Sequence, residues 1–200
     1  MTRTIAPDAP RTPVLRYPGA KNQLARWIIS HMPAHESYTE AYCGSCAVLL
    51  NKRRARLEAV NDRSSEIVNF FSVLRSRPDE LIEQIWLTPW SAEEYTLAFA
   101  EAAGDVERAR RFYFRCWASI RPFDGYPSFR RQPKLSRGKN DDRPPMTQAA
   151  KQFMRTDHLW YVADRMRGVT IENMDALDFL ERYDYAEVLH YVDPPYPFST

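Results

Sequence analysis

The chain has 200 residues, enough for one domain, or one domain with an insertion, around a sizeable core. Apolar residues make up 44% and aromatics 13%, which argues against a disordered chain, and no apolar run approaches the roughly 20 residues of a membrane-spanning helix. The net charge of +2 hides an imbalance, because residues 108–155 carry thirteen Lys/Arg against three Asp/Glu.

The start of the chain lacks the apolar core of a signal peptide, so a cytoplasmic location and no membrane association are expected. Residues 1–13 hold Pro7, Pro10 and Pro13 among few apolar residues and read as a mobile tail. Leu15-Arg-Tyr-Pro-Gly-Ala-Lys21 follows, with Pro18 and Gly19 set for a tight turn that lets backbone approach a ligand closely. Lys21 stands where it can meet a carboxylate. A helix runs on to about Met32, with Leu24 and Ile28 one turn apart.

Ser37 to Tyr42 reads as a strand, Cys43-Gly-Ser-Cys-Ala47 as a turn of small residues, and Val48 to Leu50 as a short helix. In an α/β sheet this sequence of elements brings a nucleotide-like ligand over a helix N-terminus. The next strand, Leu57 to Asn61, ends at Asp62, about twenty residues past the turn. A carboxylate at that spacing grips ribose hydroxyls. Glu40 and Asp62 are therefore candidate ligands for a nucleoside cofactor, and Asp62 is also a candidate helix N-cap. Cys43 and Cys46 spell Cys-x-x-Cys. No second Cys pair or His pair stands at ligand spacing, so no metal is expected, and the three cysteines, Cys116 included, form no disulfide framework.

From 64 to 119 the pattern is helical. Ile67, Phe70, Phe71 and Leu74 share one face, Pro78 suits a first helical position, and Ser91-Ala-Glu-Glu94 is a capping box. A helix from Asp105 to about Ser119 interleaves arginines with Phe112, Tyr113, Phe114 and Trp117. A proline-rich loop over 121–146 adds further basic residues. A basic segment laced with aromatics suits a nucleic-acid surface; the competing reading is a solvated basic face over core aromatics. Thr147 to Arg167 returns to helix and Gly168 stops it. Val169 to Asn173 is a strand with Asp175 just past its end, and a short helix carries Leu177, Phe179 and Leu180.

The chain closes on Val188-Leu-His-Tyr-Val-Asp-Pro-Pro-Tyr196. The apolar run reads as a buried strand, ended by two prolines that have no N–H to donate. Asp193 thus falls at the carboxyl end of a strand, the edge where open α/β sheets bind ligands. A carboxylate beside prolyl carbonyls is an edge of acceptors only, suited to an NH2 group with two protons to give. Tyr196 offers a stacking face.

Arg16-Tyr-Pro-Gly-Ala-Lys21, Glu40-Ala-Tyr-Cys-Gly-Ser-Cys-Ala-Val48, Asp62, a basic insertion, Asn173-Met-Asp175 and Asp193-Pro-Pro-Tyr196 follow one another in that order. From Leu15 to Tyr196 the chain resembles the adenine-specific N6 DNA methyltransferases of the DNA adenine methylase type, which include phage and prophage members and partners of restriction systems. The resemblance implies a Rossmann-like S-adenosylmethionine-dependent sheet with an inserted, mostly helical DNA-recognition region. It divides the chain into a tail over 1–13, a cofactor-binding part over 14–76, a basic target-recognition insertion over 77–155, and a return to the sheet with the catalytic motif over 156–200.

By the same resemblance, Tyr17, Gly19, Lys21, Glu40, Gly44, Asp62, Asp175 and Asp193 are the expected cofactor-binding residues. Asp193, Pro194, Pro195 and Tyr196 are the expected catalytic set. Arg115, Arg121, Arg130, Arg131, Lys134 and Arg137 are candidates for contact with double-stranded DNA from which the target adenine has flipped out. The chain departs from the pattern in two places. Cys46 stands where the family carries glycine, so a turn of slightly different shape or a weaker hold on the cofactor is expected. Few residues follow Tyr196, so an incomplete sheet is expected, with a second polypeptide as one source of the outer strands. Two alternatives share the residues: a truncated cofactor- or DNA-binding remnant without catalysis, and a methyltransferase for cytosine N4.

Overall fold

A computed structural model of the chain describes residues 13–120, 128–131 and 148–195. The expected tail, apart from Pro13, lies outside these residues, as do Arg121, Lys134, Arg137, Tyr196 and most of the proline-rich loop.

Four short strands form one parallel sheet: β1 (Ser37–Glu40), β2 (Leu57–Asn61), β3 (Thr170–Glu172) and β4 (Val188–Tyr191). Their order is β3-β2-β1-β4. Ser37 pairs with Leu57 on one side and Val188 on the other, so β1 lies inside the sheet and all four of its residues are buried. β4 has β1 as its one neighbour among the described residues, and Val188 to Tyr191 are each half-buried. The apolar run before Asp193 is therefore an edge strand here, not the buried strand its composition implies. A run of Val, Leu and Tyr cannot distinguish the two positions.

Side chains alternate across the pleat. Tyr38 and Val60 face the main core, while Ala41 and Ala59 face the opposite side. That side is covered by α9 (Ala176–Arg182), through Ala176 and the buried ring of Phe179. The main core takes in α1 (Ala25–Ser30), α2 (Ala47–Asn51) and α3 (Ser65–Ser76). It continues without a break through α4 (Pro78–Leu87), α5 (Ala92–Leu97), α6 (Asp105–Ala118), α7 (Gln148–Phe153) and α8 (Asp157–Arg165). Ile67, Phe70, Phe71 and Leu74 of α3 are all fully buried, as their shared face requires. Phe70 stacks on Tyr113 of α6, with ring centroids 5.6 Å apart and planes 6° from parallel. Burial of each such ring stabilises the fold by roughly 1.5–3 kcal/mol.

Three helices differ from the sequence reading. On α1 the buried side chains are Ala25 and Ile29, whereas Leu24 is exposed. The helix expected over 147–167 breaks at residues 154–156 into α7 and α8. No proline or glycine marks the break; the separation lets Phe153 reach Trp90 and Phe114 at centroid distances of 5.6 and 5.3 Å. On α6 the aromatics are core: Phe112, Tyr113, Phe114 and Trp117 are each 4% exposed or less. The arginines between them are taken up by carboxylates from the same fold. Arg110 binds Glu107 and Glu94, Arg111 binds Glu107, and Arg115 binds Glu66.

Candidate active site

Going outward from β1, the chain visits β2 and β3 on one side and places β4 on the other. Neighbouring connections therefore diverge between β1 and β4, and a crevice opens at the carboxyl ends of these strands. Each strand delivers an acid near that edge. β1 ends at Glu40, β2 leads into Asp62, β3 leads into Asp175, and β4 leads into Asp193.

The turn after β1 is held by backbone and carboxylate together. Cys43 N–H donates to the Asn61 carbonyl at 2.8 Å, and Cys46 N–H donates to the Cys43 carbonyl at 2.7 Å. Gly44 has φ +49°, which glycine accepts at little cost, and a side chain added there would meet only the ring of Tyr17, at 3.7 Å. Cys46 also adopts the left-handed region, with φ 51° and ψ 30°. The expected departure at this position thus takes the form of a cysteine held in a glycine conformation, its side chain fully buried.

Asp62 ties the turn to β2. Its Oδ2 accepts from Gly44 N–H and its Oδ1 from Ser64 N–H, both at 2.9 Å. Ser64, not Asp62, is the N-cap residue of α3. Burial raises the Asp62 pKa, and the two amide donors work against that shift. A carboxylate oxygen has room for more than one donor, so both oxygens retain acceptor capacity. Tyr17 shares this environment. Burial, then the charge of Asp62, pushes its phenol well above the usual range and keeps it neutral.

Glu40 lies beneath the turn. Its Oε1 accepts from Tyr38 OH at 2.9 Å and from Leu49 N–H at 2.7 Å, which fixes α2 against β1. Burial raises its pKa to about 7 despite those two donors and the nearby charges of Arg165 and Lys52. Asp175 is exposed and caps α9 through Leu177 N–H at 2.9 Å. Asn173, the first residue of the Asn173-Met-Asp175 motif, and Asn61, the last residue of β2, bond to the same strand ends; nothing in the sequence marked the bonds Asn61 makes. Asn173 Nδ2 donates to the Asp62 carbonyl at 2.8 Å. Asn61 Nδ2 donates to the carbonyls of Ala41 and Met174, so two amides lace three strand ends together.

Lys21 and Asp193 meet across the crevice. Lys21 Nζ stands 2.5 Å from Asp193 Oδ2 and also donates to the Gly19 carbonyl at 2.9 Å. Tyr191 OH donates weakly to the same Oδ2, at 3.4 Å. Both of these contacts fall on the same carboxylate oxygen. Pro194 and Pro195 follow, both exposed. The structure therefore brings Tyr17, Gly44 and Asp62 together on one side of the crevice, and joins Lys21 to Asp193 on the other. Among the described residues no group of His, Cys, Asp and Glu could hold a metal ion.

Of the basic candidates, Arg115, Arg130 and Arg131 are among the described residues. Arg115 is held within the fold by Glu66, the Ala98 carbonyl and the rings of Phe99 and Phe112. Arg130 is half-buried and Arg131 is exposed.

The family model of the D12 class N6 adenine-specific DNA methyltransferase matches residues 17–199. A search of curated proteins returned no match.

Proposed function

This chain belongs to the D12 class N6 adenine-specific DNA methyltransferase family, and on that footing we propose which of its residues do the work. The family transfers a methyl group to the N6 amino group of adenine in DNA. Our reading for this chain takes S-adenosylmethionine as the donor, which when bound supplies an electrophilic methyl group on its sulfonium sulfur.

The crevice residues fit such a donor. Gly44 leaves the backbone open beside the face of Tyr17, and Asp62 has acceptor capacity for ribose hydroxyls beyond its two amide bonds. Asp175 stands ready for the adenine end of the donor, with Gly19 and Lys21 lining the approach from the first turn. Glu40, buried and bonded to Leu49 N–H, acts from beneath by fixing the turn.

The observation that carries the catalytic reading is the Lys21–Asp193 pair at the carboxyl end of β4. Lys21 holds Asp193 Oδ2, which aims Oδ1 and the Pro194 carbonyl at the incoming amino group. Adenine N6 is a poor nucleophile because its lone pair is delocalised into the ring. Two acceptors, one for each N–H bond, favour a pyramidal nitrogen with a localised pair. Positive charge then grows on that nitrogen, and a preplaced carboxylate and carbonyl stabilise it. Pro195 keeps the backbone free of competing donors, and Tyr196 stacks on the base. The base reaches this edge only by leaving the duplex, which costs a few kcal/mol of lost stacking and pairing.

Calorimetric titration with S-adenosylmethionine tests the cofactor half. Asp62→Ala is expected to weaken binding about tenfold or more while the fold survives, because a hydrogen bond to a charged group contributes about 1.5–3 kcal/mol. Equal affinities of wild type and variant would remove Asp62 from the site.

A further inference from the structure

We infer that Tyr191 is a positioning residue for Asp193: its phenol, fixed by the sheet, orients the carboxylate that receives the adenine amino group. The inference rests on the catalytic reading of Asp193 and adds a residue that stands outside the Asp193-Pro-Pro-Tyr196 motif.

Asp193 stands past the end of β4. The ladder to β1 closes with the Glu40–Tyr191 pair and with Ala41 N–H, which donates to the Tyr191 carbonyl at 3.3 Å. Pro194 and Pro195 come next and have no N–H with which to tie the backbone down. Side-chain contacts therefore bear on where the carboxylate points. Two of them meet its Oδ2: Lys21 Nζ at 2.5 Å and Tyr191 OH at 3.4 Å.

The two contacts differ in kind. Lys21 brings a point charge on a flexible four-carbon stem, and an ammonium follows a carboxylate through several orientations. Tyr191 brings a directional O–H on a rigid ring with two torsions. That ring, like the side chain of Leu189, packs against the main core. Its backbone is held on both sides of the peptide. The Tyr191 carbonyl is in the ladder, and the preceding residue is pinned through its side chain, because His190 Nδ1 meets the buried Thr39 Oγ1 at 2.7 Å. Residues two apart on a strand share a face, which suits a phenol at 191 to a carboxylate at 193. The 3.4 Å separation is long for a hydroxyl donor, and hydrogen bonds of this kind shorten when substrate closes the site. A carboxylate held by a charge and a directional O–H keeps its plane. A fixed plane is what an acceptor needs if it is to meet one N–H bond of the amino group in the transition state.

Tyr191→Phe removes the O–H and keeps the packed ring. Methyl-transfer kinetics of this variant on an adenine-containing duplex are measured beside wild type, Asp193→Ala and the double variant. Thermal unfolding and calorimetric titration with S-adenosylmethionine are followed for each. Tyr191→Phe is expected to lower kcat about tenfold and to leave KM for DNA, cofactor affinity and Tm unchanged, the pattern of an interaction that acts in the transition state. In the Asp193→Ala background the same change should cost nothing further, because the hydroxyl acts through that carboxylate. Unchanged kcat in Tyr191→Phe, with activity lost in Asp193→Ala, would overturn the inference and leave the catalytic reading standing. A fall in kcat matched by a fall in Tm, or repeated in full in the Asp193→Ala background, would overturn it as well by showing a role in packing alone. Undiminished transfer by Asp193→Ala, or no transfer by the wild type, would overturn the catalytic reading and the inference with it.

Discussion

Cys46 carries a conformation that its side chain opposes. A residue with a Cβ in the left-handed region costs roughly 1–2 kcal/mol relative to the right-handed one, yet the thiol is fully buried and contributes packing. Replacing it with glycine removes strain, removes that packing and adds freedom to the unfolded chain, so the effects nearly cancel. Cys46→Gly is expected within about 1 kcal/mol of wild type by urea unfolding, whereas Cys46→Val is expected to lose about 2 kcal/mol or more. Comparable stability for the two variants would contradict the account of this turn. Glu40 gives a second prediction. Its pKa is about 7 in the fold against an ordinary 4.5. The folded chain therefore keeps a proton there that the unfolded chain has released. The stability it contributes is full below about pH 4.5 and is lost as pH rises through 7, by on the order of 1–3 kcal/mol. Glu40→Gln keeps an oxygen for Leu49 N–H and Tyr38 OH and removes the ionisation. Stability of this variant relative to wild type should rise between pH 5 and pH 8; a difference independent of pH would show that Glu40 ionises in the fold as it does in water.

At the scale of elements, the strands and their acids were legible because each depends on local pattern. Leu57 to Asn61 followed by Asp62, and a β-rich run stopped by Pro194, name a strand and the residue at its end. The helical stretch from 64 to 119 was legible for the same reason, down to the Ser91 side chain accepting from Glu94 N–H. What the sequence could not show depends on distant partners. Arginines among aromatics on α6 look alike whether they face DNA or the core. Here Arg110 and Arg115 pair with Glu94 and Glu66, partners far along the chain. The break between α7 and α8 has no local marker either, since it follows from where Phe153 packs. α8 supplies a further device of this kind. Arg165 binds Glu58 of β2 through both nitrogens, at 2.5 and 2.8 Å, and donates to the Leu49 carbonyl, while Lys52 binds the same carboxylate at 3.0 Å. All three side chains are at most 4% exposed. Burial works to raise the Glu58 pKa, but Arg165 and Lys52 prevail and hold it low. This cluster joins α8, β2 and the end of α2, the helix that follows the turn after β1. Arg165→Ala leaves a buried carboxylate with one partner fewer and is expected to cost roughly 3–5 kcal/mol in chemical unfolding. A loss below about 1 kcal/mol would mean that water already reaches the cluster.

Over the whole molecule, one continuous core runs from the sheet through the helices of the insertion. The segment read as a recognition insertion therefore shares one packed core with the turn after β1. Its segment 128–131 is bonded to the end of α6, and the end of β4 places Asp193 beside Lys21. No helix among the described residues is long and apolar enough to cross a membrane. The central claim is that Asp193, held by Lys21, accepts from the adenine amino group as the methyl group moves. Its most direct test is nucleoside analysis of duplex DNA incubated with S-adenosylmethionine and either wild type or Asp193→Ala, with DNA binding followed in parallel. The account predicts N6-methyladenine from the wild type, at least a hundredfold less from the variant, and similar DNA affinity for both. Methylation at cytosine N4, or undiminished N6-methyladenine from Asp193→Ala, would contradict it.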